Sequence, residues 1–219
     1  MVEHRAKLEK YQLIKHLGSG HYSKVVLGRH EDTGQLVAIK LRKEKYAISD
    51  EMFLKEAKAL ASVKHLNISK LIDYGYNKQI EYYDGGKRDA VYLVIEVIPN
   101  GELFDYVALA GAFSEKIARH YFSQMIGALN HLHEAGFTHR DLKPENMMMD
   151  ADFNLKLVDF GFAESLVAKD GSMRHRDVVG TKAYCAPEVL VGKPYYGIQA
   201  DIFSAAAILF VMVSGSPPF

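Results

Sequence analysis

The sequence predicts an α+β protein of two lobes, strands in the first part of the chain and helices in the second. Three observations carry this. Up to about residue 98 the apolar residues fall in short alternating runs such as "QLVAIKLRK", separated by glycine-containing turns. After "PNGE" at 99–102 the pattern becomes helical, most clearly in "SEKIARHYFSQMIGALNHLHEAG". The apolar run "IFSAAAILFVMV" at 202–213 reads as a buried core helix, being shorter than the roughly 20 residues that cross a bilayer. The expected organisation is a lobe of residues 1–98, with a small five-stranded antiparallel sheet and one main helix, followed by a mainly helical lobe of residues 99–219.

The five strands are read in order. "YQLIKHLGSG" and "SKVVLGRH" flank glycines, and "DTGQ" at 32–35 turns the chain into "QLVAIKLRK". "DEMFLKEAKALASV" is the helix: Phe53, Ala57 and Leu60 share a face, and Ser49 or Asp50 can cap it. "ISKLIDYGY" and "AVYLVIEVI" complete the sheet, with "NKQIEYYDGGKRD" between them expected as a polar loop. In the second lobe Ser114 caps the clearest helix. Ala118, Phe122, Met125, Leu129 and Leu132 form its apolar stripe, and Gly136 stops it.

Composition narrows the function. The 219 residues carry 27 Lys plus Arg against 27 Asp plus Glu, a formal charge of zero. No basic field points to nucleic acid or an anionic membrane as partner. A single cysteine, Cys185, allows no intrachain disulfide and suits a reducing, cytoplasmic setting, with the nucleus open. The N-terminal "MVEHRAKLEKYQLIK" has no apolar core and does not read as a secretory signal.

Four stretches carry chemistry. In "LGSGHYSKVVL", Gly18 and Gly20 let backbone amides approach phosphate oxygens, although two glycines in a hairpin also make an ordinary turn. "VAIK" puts Lys40 among apolar neighbours on a strand, where it wants an anion. Glu56 on the next helix can orient it, or the two form a plain surface pair. "THRDLKPENMMMDADFNLKLVDFGFAE" brings Asp141, Lys143, Asn146 and Asp159 into one short region. A carboxylate to orient a hydroxyl, oxygen donors for Mg²⁺ and a cation for developing charge are the set phosphoryl transfer needs. Finally, the tripeptide His-Arg-Asp occurs twice, at 139–141 and 175–177.

These stretches resemble a eukaryotic protein kinase catalytic domain. The glycine-rich "GSGHYSKV", "VAIK", "HRDLKPEN", "DFG" at 159–161 and "APE" at 186–188 stand in that family's order and cover almost the whole chain. The resemblance implies a bilobal kinase fold with ATP and Mg²⁺ in an interlobe cleft. Gly18, Gly20 and Ser23 would cover the phosphates, with Leu17 beside them. Val25, Ala38 and Met148 would sandwich the adenine, and Glu96 and Ile98 would bond it through backbone, with Ile95 as gatekeeper. Lys40 would hold the α- and β-phosphates and Glu56 would hold Lys40. Asp141 would accept the substrate proton, and Asn146 and Asp159 would bind Mg²⁺. Leu60, Leu71, His139 and Phe160 would stack as a hydrophobic spine.

Lys143 and Thr181 resemble the Ser/Thr branch, and "NGELFDYV" with the helix after it resembles the calcium/calmodulin-dependent and AMP-activated group. Glu102 and Glu145 match positions that receive substrate arginines, although Glu102 can serve ribose alone and Glu145 can be a solvated charge. In the second tripeptide Asp177 stands where the family commonly carries a phosphorylated threonine, so it would supply a permanent negative charge to Arg140. Ser172 is the alternative phosphosite, and a solvated loop aspartate is the plainer reading. The resemblance further implies Ser/Thr protein substrates, a regulatory partner outside this chain and a monomer.

Three departures stand out. Phe203 and Ala206 replace a Trp and a Gly of the family pattern, while Asp201, expected to anchor the catalytic loop, is kept. The family domain also continues beyond "SGSPPF" with helices that cover the apolar helix and with an arginine for Glu188, so a C-terminally truncated fragment is expected. A non-catalytic scaffold and a small-molecule kinase are the other readings. The intact catalytic set argues against the first; Lys143, Thr181 and "APE" argue against the second.

Overall fold

The computed structural model describes residues 6–43, 50–167 and 171–219. Ser49, one of the two expected helix caps, lies outside the described residues. The chain divides into two compact units, one of Met1–Lys58 with Lys70–Val97, the other of Ala59–Ser69 with Ile98–Phe219. The stretch Ala59–Ser69 belongs with the second unit. Its cause is hydrogen bonding: Ser69 N–H donates to the Leu157 carbonyl at 2.9 Å, and Leu157 N–H to that of Asn67 at 2.8 Å. The Asn67 amide adds a bond to the Leu155 carbonyl at 2.7 Å.

The first unit contains β1 (Ala6–Leu8), β2 (Tyr11–Ser19), β3 (Ser23–His30), β4 (Leu36–Arg42), most of α1 (Asp50–Ser62), β5 (Leu71–Tyr82) and β6 (Lys87–Glu96). The strands pair in the order β1-β2-β3-β4-β6-β5, all antiparallel, and β1 also pairs with β5. Alternation sets the two faces of β4. Val37, Ile39 and Leu41 point into the core with Leu8, Tyr11 and Val94, which leaves Ala38 and Lys40 on the other face.

The structure corrects one expectation here. Beside the five expected strands, the three residues of β1 lie in a charged stretch that shows no strand pattern. The segment 77–89, expected as a polar loop, is mostly hairpin: β5 runs to Tyr82, β6 starts at Lys87, and Gly85 turns between them at φ +87°. Its outer face is held by polar cross-strand pairs, Lys87 to Glu81 at 2.8 Å and Gln79 to Asp89 at 3.1 Å, while Ile80 enters the core. Polar pairs leave no hydrophobic trace, so the sequence reads as loop.

The second unit holds α2 (Leu103–Ala110), α3 (Glu115–Glu134), β7 (Phe137–Thr138), β8 (Met147–Met149), β9 (Leu155–Leu157), β10 (Glu164–Ser165), α4 (Pro187–Leu190) and α5 (Gly197–Ser214). Ser114 caps α3 by accepting from Ile117 N–H. The expected stripe on α3 is buried at Ala118, Met125, Leu129 and Leu132, while Phe122 is half-buried. The helix α5 is longer than the apolar run, and its 18 residues suffice in length and composition to cross a membrane. One of its faces packs into the unit through Ala205, Ile208, Val211 and Met212 and carries the buried Asp201, as a core helix does.

Candidate active site

In the first unit Lys40 projects from β4 to Glu56 of α1. Its ammonium lies 2.7 and 2.8 Å from the two carboxylate oxygens, and both side chains are largely buried. The ammonium also sits 5.9 Å from the Phe53 ring centre. This is a desolvated pair, so removing one partner strands the other's charge. Along β2 the pairing slips between Leu13 and Lys15 and again between His16 and Gly18, irregularities that bend the strand towards its glycine turn.

The glycines there differ from others in the sheet. A Cβ on Gly28 would stand 2.5 Å from Ile39, and one on Gly75 2.6 Å from the Tyr92 ring. A Cβ on Gly18 would meet nothing within 4 Å, and the nearest atom to one on Gly20 is the Ser23 hydroxyl at 3.8 Å. Packing within the chain therefore demands glycine at 28 and 75 but leaves bare backbone at 18 and 20, which suits a ligand's close approach. Lys43 fastens the tip of the turn by donating to the Gly20 carbonyl at 2.6 Å. Leu17 is exposed, Ser23 and Ala38 are buried, and Val25 is half-buried opposite Lys40. Ile95 pairs with Ala38 and with Leu71, and Glu96 binds Lys70 through backbone and carboxylate. Leu71 packs against Phe53, Ala57, Val91 and Leu93.

In the second unit Asp141 is buried and gripped at both oxygens. Thr181 Oγ1 donates to Oδ1 at 2.8 Å, and Lys143 Nζ to Oδ2 at 2.9 Å and to Thr181 Oγ1 at 3.1 Å. The Asn146 amide nitrogen donates to the Asp141 carbonyl at 2.8 Å, which leaves the amide oxygen of Asn146 as an acceptor. Asp159 is exposed at φ +59°, and the Gly161 N–H donates to its Oδ1. Val158 N–H donates to the Asn146 carbonyl and so joins the two donor-bearing segments.

His139 lies beneath, fully buried. Asp141 N–H donates to its Nδ1 at 3.3 Å, so Nε2 carries the proton and donates to the Val158 carbonyl at 3.2 Å. Burial pushes this imidazole below its usual value against the pull of Asp201 and Asp141, in keeping with a neutral ring. It meets Phe160 edge-on at 5.0 Å, and Leu60 is buried in the same unit.

Asp201 of α5 organises the loop from below. Its Oδ2 accepts from His133 Nε2 at 2.8 Å, Thr138 Oγ1 at 2.7 Å and His139 N–H at 2.9 Å, and its Oδ1 from Arg140 N–H at 2.8 Å. Burial would raise this carboxyl, but the bond from His133 and those from the two backbone amides outweigh it and hold it low. These bonds stabilise Arg140 at φ +64°, a backbone state an L side chain rarely adopts. Gly180, at φ +97°, passes so close that a Cβ would stand 2.5 Å from the Arg140 carbonyl.

The Arg140 guanidinium is buried. Nε donates to the Phe162 carbonyl at 2.9 Å, NH1 to Asp177 Oδ2 at 3.3 Å, and NH2 lies 3.9 Å from Glu164. Ser172 stands half-buried in a local turn, its hydroxyl donating to the Arg174 carbonyl and accepting from the Arg174 N–H. Glu102 bridges to Met148, which pairs with Lys156. Burial raises the Glu102 carboxyl, and the charges of Asp105 and the exposed Glu145 add to it. Phe203 stacks on Phe219 and packs against Ala186, Val189, Tyr195 and Ala200, while Ala206 is exposed.

Sequence reasoning missed His133, Glu164 and Tyr195. A histidine in the last turn of α3 was the one available signal. The partnership of Tyr195 with Asp177, its hydroxyl donating to the Asp177 carbonyl at 3.1 Å, has no sequence trace.

A family model described as the protein kinase domain matches residues 11–219. The chain belongs to the protein kinase domain family. It is 38% identical over 218 residues to CBL-interacting protein kinase 21 of Oryza sativa subsp. japonica, covering 97% of this chain and 39% of that protein. It is also 38% identical over 214 residues to maternal embryonic leucine zipper kinase of Danio rerio, covering 97% and 30%. With CBL-interacting serine/threonine-protein kinase 24 of Arabidopsis thaliana the identity is 36% over 222 residues, covering 100% and 47%. The chain thus spans less than half the length of each of these relatives.

Proposed function

We propose that this chain is the catalytic domain of a serine/threonine protein kinase, transferring the γ-phosphate of ATP to Ser and Thr hydroxyls of proteins. The observation that carries the reading is the grip on Asp141, one oxygen held by Thr181 and the other by Lys143. A carboxylate so fixed can orient an incoming hydroxyl and take its proton. Lys143 adds a positive charge beside the transferred group. Lys40, set by Glu56, offers a cation to the nucleotide phosphates, and the bare backbone at Gly18 and Gly20 offers amides.

Mg²⁺ fits the donors. An amide oxygen on Asn146 and a carboxylate on Asp159 are hard ligands, and Mg²⁺ fills its shell mainly with phosphates and water rather than a protein cage. When bound it would neutralise charge developing on the phosphates. Relatives bearing Ser/Thr-kinase and CBL-interacting names support the hydroxyl class and a regulatory partner beyond this chain. The shared negative field of Glu102, Asp105 and Glu145 supports a preference for substrates with arginines. A single free cysteine supports an intracellular setting.

The test is transfer from Mg-ATP to Ser and Thr peptides with and without upstream arginines, in the full-length protein and its Asp141→Asn variant. The variant is expected to lose on the order of 10²-fold or more in turnover while still binding nucleotide. Saturable Mg-ATP binding without transfer to any peptide overturns the reading.

A further inference from the structure

We propose that His175 is a positioning residue for the catalytic loop: its neutral, buried ring holds the segment carrying Asp177 against Arg140, and protonation of that ring lets the segment go. The proposal rests on the kinase reading above. His175 is 4% exposed. Its backbone pairs in both directions with Tyr195, N–H to carbonyl at 2.8 Å and carbonyl to N–H at 3.0 Å, and the two rings sit 5.6 Å apart. Tyr195 then grips the segment a second time through its hydroxyl on the Asp177 carbonyl. One tyrosine thus fixes two residues that flank Arg176, and Asp177 is thereby held within 3.3 Å of Arg140.

The ring has an unusual property among the described residues: its Nε2 is buried with no hydrogen-bond partner. A neutral imidazole can leave an acceptor nitrogen there at modest cost. An imidazolium would bury an N–H with nothing to receive it, in a place already occupied by the Arg140 guanidinium. The groups facing the ring are Arg140 from the catalytic loop, Glu164 of β10, Asp201 of α5, Tyr195, and Asp177 on its own segment. Next along the segment, Arg174 lies over the Tyr196 ring.

Burial first, and then Arg140, push the imidazole below its usual value, against the three carboxylates. The sign follows. The unfolded or undocked segment binds a proton more readily than the docked one. Docking is therefore fully present above the ordinary histidine value of 6.5 and is lost as pH falls below it towards and through the lowered docked value. A single proton taken up on release changes the docking equilibrium by up to about tenfold per pH unit.

The experiment is amide hydrogen exchange of residues 174–180, corrected for intrinsic rate, from pH 7.5 to 5.5 in the full-length protein, alongside peptide phosphorylation over the same range. Wild type is expected to lose protection and activity together in the acid range. His175→Phe keeps an aromatic ring against Tyr195 and cannot titrate, so its protection is expected to stay flat. An equal acid loss in His175→Phe, or flat protection in wild type, overturns the proposal; the second result needs no variant. If protection follows the expected profile but no peptide is phosphorylated at any pH, the kinase reading fails and the latch stands.

Discussion

The Arg140 guanidinium lies 3.3 Å from the Asp177 carboxylate, so the arginine of one His-Arg-Asp tripeptide meets the aspartate of the other. The side chains are unequally placed, Arg140 at 6% exposure and Asp177 at 66%. An exposed carboxylate on a buried guanidinium supplies standing charge, but only a partial one, since it has fewer acceptor oxygens than a phosphate. In unphosphorylated protein Asp177→Ala is expected to lower kcat/KM for a peptide several-fold, corresponding to about 1 kcal/mol for one exposed pair. Unchanged kcat/KM would reduce the repeated tripeptide to coincidence.

The Lys40–Glu56 pair predicts a non-additive pattern. Glu56→Leu takes from the mostly buried Lys40 ammonium the carboxylate it bonds and is expected to destabilise by about 3 kcal/mol. Lys40→Met with Glu56→Leu removes both charges and is expected to recover most of that loss. Urea unfolding of the four proteins closes the cycle; additive effects would show that the two charges do not depend on each other.

Asp201 predicts an acid limb of stability. Its folded carboxyl is held below the ordinary value of 3.8, so its contribution is present above that value and disappears as pH falls through the lower folded one. Asp201→Asn is expected to cost about 2–3 kcal/mol at pH 7, from the loss of charge-assisted bonds. The gap to wild type should narrow in denaturant titrations below about pH 4. A gap that stays constant with pH would assign the cost to shape alone.

Two glycines predict opposite outcomes. Gly180→Ala meets both φ +97° and the Arg140 carbonyl, and is expected to lower the thermal midpoint, with a cost of 1 to roughly 3 kcal/mol. Gly18→Ala meets nothing within 4 Å and is expected to leave the midpoint nearly unchanged while weakening ATP binding. Calorimetric titration with Mg-ATP and a melting curve on each variant separate the two cases. A normal melting curve for Gly180→Ala would remove the crowding argument.

How legible the molecule was in its sequence depended on whether a feature is local. Residues 139–161 carry their polar groups within a few letters of one another, and the structure clusters Asp141, Lys143 and Asn146 through direct hydrogen bonds. Lys40 and Glu56 were readable because an apolar strand had to supply its lysine with a partner. The hairpin of β5 and β6 was hidden because its outer face is held by Glu81 with Lys87 and Gln79 with Asp89, which look like solvated loop residues until they are opposed. The short β1 was hidden because three residues show no period. His133 and Tyr195 act only through partners far along the chain, and no spacing rule connects a histidine at 133 to an aspartate at 201.

Asp201 also sets an order of assembly. It shapes the backbone of Arg140 from 61 residues further along the chain. During translation the Arg140 loop emerges well before the helix that moulds it, and the left-handed turn at Arg140 lacks its bond to Asp201 until α5 has been made and packed. A nascent chain ending short of α5 would carry every catalytic letter and still lack the shape to use them. The backbone shape at Arg140 thus depends on a carboxylate that is made 61 residues later.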